Sequence, residues 1–153
     1  MGALTMPLST NEGRGAAWTI LVVDDEPALL RLMEFMLRRE GYTLLTATNG
    51  DEAIEVIYER RPDLIILDIM MPKRDGYQVT EMIRSSDDPA ITSIPIVMLS
   101  AKAQDEDIVR GREMGVEEYI TKPFEPEHLA SVVAGILRDR EAGGPAAAAT
   151  AGR

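Results

Sequence analysis

The 153-residue sequence is long enough for one domain with tails, and it carries a formal net charge of -10 and no cysteine. Without cysteine there can be no disulfide or thiolate metal site, and the excess of acid argues against direct nucleic-acid binding, because phosphate contacts require clustered Lys and Arg. No apolar segment approaches the ~20 residues that cross a bilayer, and the N-terminus lacks a signal-peptide pattern, so we expect a cytoplasmic protein without membrane contacts.

Segments with few large apolar residues flank a central region. Residues 1–17 are rich in Gly, Ser, Thr, Asn and Pro, which predicts a disordered lead-in. Residues 141–153 form an Ala/Gly-rich tail of low complexity that we also expect to be disordered. The sequence leaves open whether this tail is a native terminus or the start of a linker. The folded domain is therefore predicted over residues 18–140.

Apolar runs and helical patterns alternate through the first half of this domain. The run 20–23 is typical of a strand buried on both faces, and the acidic residues 24–26 follow it directly. Pro27 suits the first turn of a helix that we expect to end before the next glycine. A loosely alternating outer strand over 42–47 and a helix over 51–60 come next.

The stretch 64–67 consists of four apolar residues that end abruptly on Asp68. Its composition predicts a central buried strand, with the carboxylate placed where that strand meets water. A turn and a short helix follow, and the helix directs three apolar residues inward, Val79, Met82 and Ile83. A polar loop is predicted over 85–93.

The remaining elements repeat the same alternation. A fourth buried strand over 95–99 terminates on Ser100. A helix of modest apolarity over 105–114 has Ile108 and Val109 as its clearest inward residues. The last predicted elements are a short strand over 118–120, which leads into Lys122, and a helix over 126–138.

Five strands alternating with five helices predict a doubly wound parallel α/β sheet between two helical layers. In such sheets ligands bind beyond the carboxyl ends of the strands. Four strands deliver chemically useful side chains to that edge, and these are Asp24 and Asp25, Asp68, Ser100, and Lys122. We therefore predict a functional site there, centred on Asp68.

Four motifs along the chain resemble those of a receiver domain of the bacterial two-component response-regulator family. They are Val-Asp24-Asp25-Glu after the first strand, Leu-Asp68-Ile-Met-Met-Pro72 after the third, Ser100-Ala101 after the fourth and Lys122-Pro123-Phe124 after the fifth. The resemblance covers roughly residues 20–138 and implies a flavodoxin-like fold with strand order 2-1-3-4-5. Because no output domain follows in this sequence, we predict a receiver of the stand-alone type.

Carboxylates that converge at one edge repel one another, and a divalent cation relieves that repulsion. Mg²⁺ suits such a site because it prefers hard oxygen ligands and needs few of them from the protein. By resemblance, Asp25 and Asp68 bind Mg²⁺ directly, Asp24 acts partly through water, and Met70 contributes its backbone carbonyl. The resemblance also implies that Asp68 is the phosphoryl acceptor.

A carboxylate is a poor nucleophile towards phosphate unless cations offset the like charges, a role suited to Mg²⁺ and the Lys122 ammonium. The family implies a phosphohistidine donor on a sensor histidine kinase or histidine phosphotransfer protein. It also implies a cis peptide at Lys122–Pro123, and a phosphoacceptor that promotes its own phosphorylation and dephosphorylation without being a classical enzyme. Met70 and Lys102 fall where the family varies its dephosphorylation rate.

Phosphorylation adds up to about two negative charges, and these must be detected elsewhere in the domain. Ser100 can donate its hydroxyl to a phosphoryl oxygen, and the resemblance assigns Tyr119 as the aromatic that moves with it. The signal would reach a downstream protein through the fourth predicted helix, the fifth strand and the fifth predicted helix. Whether phosphorylation also drives homodimerisation is left open by the sequence.

Ordinary structural roles remain for each residue taken singly. The acids 24–26 could cap the first helix, Asp68 and Ser100 could stabilise turns, and Lys122 could be a solubilising charge at the sheet edge. His128 is expected at a solvated position on the last helix, not as a phosphorylated histidine.

Two other functions fit parts of the pattern. A phosphorylation-independent interaction module could share the fold, but it would not require the complete acid, hydroxyl and ammonium set. A Mg²⁺-dependent phosphohydrolase with an aspartyl nucleophile would need its acids after different strands and a substrate cap.

Overall fold

The structure is a computed structural model that describes residues 17–101 and 105–142, with Asp105 described by its backbone. The described residues form five strands and six helices. In chain order these are β1 (Thr19–Val23), α1 (Pro27–Arg39), β2 (Thr43–Ala47), α2 (Gly50–Arg60), β3 (Leu64–Asp68), α3 (Gly76–Arg84), α4 (Pro89–Thr92), β4 (Ile96–Ser100), α5 (Asp105–Glu113), β5 (Glu118–Thr121) and α6 (Pro126–Glu141).

All five strands pair in parallel in the order β2-β1-β3-β4-β5, so the predicted doubly wound sheet is confirmed. Every residue of the two central strands β3 and β4 is buried, whereas β2 at one edge alternates between exposed and buried positions. This difference follows from position, because a central strand of a parallel sheet is covered by helices on both faces.

Two hydrophobic cores lie on opposite faces of the sheet. Helices α2, α3 and α4 contribute to one core, and helices α1 and α6 contribute to the other. Alternate residues of β1 divide between them, with Leu21 and Val23 in the first core and Ile20 and Val22 in the second. The helix, sheet and helix layers therefore arise from continuous apolar strands whose two faces are both buried.

The loop predicted over 85–93 contains a helical turn, α4, so the prediction of five helices was one too few. The side chain of Asp88 accepts a hydrogen bond from the backbone N–H of Ala90, and Pro89 occupies the first turn. Ile91 is fully buried at its centre. One buried residue within a polar stretch gives no helical periodicity, which explains why the turn was missed.

The prediction that Val109 points inward was wrong, because this side chain is 50% exposed. Ile108 is half-buried, and Gly111 is buried. A Cβ atom added at Gly111 would lie 3.4 Å from both the Tyr119 ring and Val116. This helix therefore contacts Tyr119 and Val116 at Gly111, and a pattern of apolar residues does not identify a glycine as a contact position.

Some predictions fall on residues that the structure does not describe. The disordered lead-in over 1–17 and the tail over 141–153 lie almost entirely outside the described residues, as does Lys102. Among the described helices, none has the length and apolarity needed to cross a membrane.

Candidate functional site

The carboxyl edge of the sheet collects the predicted side chains. Asp24 follows β1, Asp68 ends β3 and Ser100 ends β4, and their exposed fractions are 0%, 3% and 2%. Burying a carboxylate is costly unless nearby cations or donors compensate it. The burial of two carboxylates side by side therefore indicates a specialised site.

Lys122 is brought from the end of β5 into the middle of these acids. Its ammonium lies 2.9 Å from Asp24 Oδ2, 3.5 Å from Asp68 Oδ1 and 3.5 Å from Glu26 Oε1. Burial alone would lower the pKa of Lys122, but the adjacent carboxylates outweigh burial and raise that pKa, so the side chain stays charged. Glu26 was not among the predicted site residues.

The two oxygens of Asp24 have different environments. Oδ1 accepts a hydrogen bond of 2.9 Å from the backbone N–H of Glu26. Oδ2 is buried and forms an ion pair of 2.9 Å with the Lys122 ammonium. Glu26 is the N-cap residue of α1, yet its side chain makes no capping hydrogen bond. Helix capping therefore does not account for these acids.

Asp68 is a carboxyl group with a strongly perturbed acidity. Burial first, and the charge of Asp24 second, raise the pKa of Asp68 to about 6. The Lys122 ammonium and the backbone N–H of Met70, which donates to Asp68 Oδ1 at 3.3 Å, act in the opposite direction. Such a shift results when a carboxyl group is buried beside a second carboxylate.

Asp24, Asp25 and Asp68 each offer a carboxylate oxygen, and these oxygens lie within 4.8 Å of one another. Asp25 is exposed, so the cluster opens towards solvent on its side. Three clustered carboxylates, two of them buried beside a single ammonium and one facing solvent, fit Mg²⁺, which binds few protein carboxylates and keeps several waters. The Met70 backbone lies beside this cluster through its hydrogen bond to Asp68.

The predicted switch residues are placed on adjacent strands. Ser100 ends β4, and its backbone carbonyl accepts a hydrogen bond of 2.7 Å from the Lys122 N–H. Tyr119 pairs with Met98 in the register of β4 and β5, and its side chain is half-buried. The Lys122–Pro123 peptide bond is cis, as the resemblance implied. His128 is exposed on α6, as predicted.

The family model for the response regulator receiver domain matches residues 20–134. The chain belongs to this family. Receiver domains act in phosphorylation-activated two-component signalling, are not classical enzymes, and generally bind Mg²⁺ at an acidic cluster. As a family they interact with histidine kinases and downstream targets.

Relatives of this receiver domain are found among curated proteins and solved structures. It is 42% identical over 126 residues to the alkaline phosphatase synthesis transcriptional regulatory protein PhoP of Bacillus subtilis (strain 168), a match over 82% of this chain and 51% of that protein. The chain thus spans about half the length of the curated relatives it matches.

Two solved structures share the fold. A putative response regulator from Chloroflexus aurantiacus J-10-fl is 36% identical, with a TM-score of 0.74 and coverage of 80% of this chain and 99% of that one. A CheY-like receiver domain protein from Methanospirillum hungatei JF-1 is 26% identical, with a TM-score of 0.78 and coverage of 84% and 100%.

Tyr77 on α3, which sequence reasoning missed, contacts residues of α5 and β5. Tyr77 is 7% exposed, and the guanidinium of Arg110 on α5 lies 3.9 Å from its ring centroid. The Tyr77 hydroxyl donates to the Asp107 carbonyl at 3.5 Å and is hydrogen-bonded to Tyr119. Burial, followed by Tyr119 and Asp107, raises the pKa of Tyr77 to about 12. No sequence pattern predicts this contact, because Val79 and Ile83 already account for the inward face of α3.

Proposed function

We propose that this receiver domain is a phosphorylation-activated switch of a two-component phosphorelay, with Asp68 as its phosphoryl acceptor. The observation that carries the proposal is the placement of Asp68. This carboxylate is 3% exposed, lies 3.5 Å from the Lys122 ammonium and shares a cluster with two further carboxylates. A nucleophile held beside an ammonium, in a carboxylate cluster that can bind a second cation, meets the main requirement of phosphoryl transfer, which is positioning with charge neutralisation.

The transfer proceeds from a phosphohistidine on a sensor histidine kinase or histidine phosphotransfer protein. An oxygen of Asp68 forms a bond to phosphorus while the phosphorus–nitrogen bond breaks, and the imidazole keeps the electron pair and takes up a proton. Lys122 offsets the charge on the phosphoryl oxygens. Hydrolysis later breaks the new oxygen–phosphorus bond and restores the carboxylate, so the domain promotes both its phosphorylation and its dephosphorylation.

The metal ligands of this proposal are Asp24, Asp25, Asp68 and the Met70 backbone carbonyl. The short separation of the carboxylate oxygens supports the first three. Bound Mg²⁺ would supply positive charge that offsets the negative charge of the phosphoryl oxygens. The exposed position of Asp25 leaves room for the waters that this ion retains.

The output of the switch runs through the residues that follow β4. The Ser100 hydroxyl donates to a phosphoryl oxygen, the loop after β4 moves towards the site, and Tyr119 follows. The surface that changes is formed by α5, β5 and α6, which are the fourth predicted helix, the fifth strand and the fifth predicted helix. A downstream protein, or a second copy of the chain, recognises that surface. Absence of direct nucleic-acid and membrane contacts, and a cytoplasmic location, remain predictions.

Incubation with Mg²⁺ and acetyl phosphate, followed by intact-mass measurement, tests the acceptor assignment. Wild type should gain the mass of one phosphoryl group, and alkaline treatment should remove it. Asp68→Asn should gain nothing, whereas Asp139→Asn, which alters an exposed carboxylate on α6, should behave as wild type. An unmodified wild type would instead favour a phosphorylation-independent module, and an adduct on Asp68→Asn would place the acceptor elsewhere.

A further inference from the structure

The backbone of the loop that follows Asp68 lies directly against the start of α2. Gly50 is the first residue of α2 and is buried. A Cβ atom added there would lie 2.2 Å from the Arg74 carbonyl oxygen and 2.4 Å from the Arg74 Cβ. Ordinary van der Waals contact begins at 3.4 Å, so no side chain fits between α2 and this loop.

Contacts of Gly76 also hold the two ends of the loop over 69–75 together. A Cβ atom at Gly76 would lie 2.8 Å from the Asp68 carbonyl oxygen, and the Gly76 N–H donates to the Ile69 carbonyl at 2.9 Å. Lys73 adopts a left-handed conformation with φ of 72°. The loop is therefore closed where Gly76 meets Asp68 and Ile69, and Gly50 supports it at Arg74, two residues before Gly76.

Hydrogen bonds hold the start of α2, which forms one side of this contact. The Asn49 side chain accepts from the Glu52 N–H at 2.8 Å, and the Glu52 carboxylate accepts from the Thr48 N–H at 2.8 Å. The preceding strand end is tied to the acidic cluster, because the Asp24 N–H donates to the Ala47 carbonyl at 3.1 Å. One connection, β2 to α2, thus supports both loops that carry the carboxylates.

A solvent-exposed ion pair lies beside the contact between Gly50 and Arg74. Arg74 Nε lies 2.8 Å from Asp51 Oδ1, and the two side chains are 43% and 55% exposed. An exposed pair of this kind contributes little by itself. The backbone contact at Gly50 is therefore the principal constraint on this part of the loop.

We propose that Gly50 is a positioning residue for the phosphoryl-acceptor site. Its missing side chain lets the loop settle against α2, which sets where the Met70 backbone stands relative to Asp68 and the cation cluster. This inference rests on the proposed function, since it concerns the metal-binding loop of that same site. It adds a residue from α2 that none of the site motifs contains.

Gly50→Ala is the direct test. Alanine is the better helix former, so a loss of function cannot come from helix propensity. The added Cβ must displace the loop or α2 by about 1 Å to restore ordinary contact. Displacing the supports of metal ligands costs about 10–100-fold in metal affinity, and we expect Mg²⁺ to bind about tenfold more weakly.

Gly135→Ala is the matched control, because a Cβ at this glycine of α6 would lie 3.9 Å from the Arg138 guanidinium, which is an ordinary van der Waals contact. For each full-length variant, calorimetry gives the Mg²⁺ dissociation constant, thermal melting gives stability, and NMR gives the amide signals of residues 69–71 without metal. Gly50→Ala should shift those signals, weaken Mg²⁺ binding and slow phosphorylation by acetyl phosphate. Gly135→Ala should match wild type.

The inference is overturned if folded Gly50→Ala keeps wild-type amide signals and Mg²⁺ affinity, even if its melting temperature falls. Should that variant fail to fold, Asn49→Ala removes the hydrogen bond to Glu52 that holds the start of α2 against the loop. It should shift the same signals more than Asp88→Ala, which removes the N-cap hydrogen bond of α4, and equal shifts would overturn the inference. A wild type that takes up no phosphoryl group contradicts the proposed function alone, because the metal-free signals still decide the role of Gly50.

Discussion

Asp68 is a buried carboxyl group whose negative charge is disfavoured in the folded state. Burial and the neighbouring Asp24 hold the pKa of Asp68 at about 6, above its unfolded value of 3.8. A carboxyl group whose pKa is higher in the folded state binds more protons there than in the unfolded state. In metal-free protein, Asp68 is therefore best tolerated below pH 3.8 and costs stability as the pH rises through about 6.

This linkage predicts that Asp68→Asn stabilises the metal-free protein at about pH 7, by up to about 3 kcal/mol, because one pKa unit corresponds to about 1.4 kcal/mol. The gain should disappear as the pH falls to the unfolded pKa of 3.8. Urea unfolding in the presence of a chelator measures both values. Asp139→Asn serves as the control, and a gain from Asp68→Asn that is equal at both pH values would contradict the assigned cause.

At the scale of secondary-structure elements, Tyr77 links α3, α5 and β5 through one side chain. Tyr77→Phe keeps the ring under Arg110 and removes the hydroxyl that reaches Asp107 and Tyr119. A net hydrogen bond contributes about 1 kcal/mol, so amides of α5 should exchange with solvent about fivefold faster. Hydrogen-exchange mass spectrometry measures this change.

Tyr58→Phe is the matched control for that experiment, because Tyr58 lies on α2 and is 42% exposed. Faster exchange in α5 for the Tyr77 variant alone would mean that the hydroxyl stabilises α5 in its position against α3. Unchanged exchange would show that the ring contact with Arg110 suffices.

Arg84, at the end of α3, fixes the chain on either side of β4. Its guanidinium donates to the backbone carbonyls of Thr92, Ile94 and Gly115. Lysine has no planar fork of donors, so Arg84→Lys should leave carbonyls unsatisfied and cost about 2 kcal/mol. Urea unfolding tests this against Arg60→Lys, an exposed arginine in the last turn of α2. Equal stabilities for the two variants would refute the role given to Arg84.

Much of the site could be predicted from the sequence, because the positions of its residues follow from the topology of the sheet. Asp24, Asp68 and Ser100 each end a buried apolar run, and the ends of parallel strands meet at one edge. The contacts of Tyr77 and Gly50 could not be predicted in this way. They depend on how closely two distant elements approach, and neither an aromatic residue in a helical pattern nor a glycine at a helix start specifies a partner.

At the scale of the whole molecule, the proposed metal site couples ion binding to the stability of the folded state. Any ion that binds the folded state and not the unfolded chain stabilises the protein by mass action, by about 2.7 kcal/mol at a hundredfold excess over its dissociation constant. Asp25 is exposed, so its removal leaves the core intact while it deletes one predicted ligand. Asp25→Asn should therefore melt like wild type in chelator, or slightly higher because repulsion is relieved.

Adding Mg²⁺ should then separate the two proteins. The melting temperature of wild type should rise with Mg²⁺ concentration, whereas Asp25→Asn should respond at much higher concentration or not at all. Asp139→Asn, which carries the same change in charge away from the site, should follow wild type. A common response of all three would mean that the ion acts through general screening, and that repulsion among the clustered carboxylates is relieved without a bound metal.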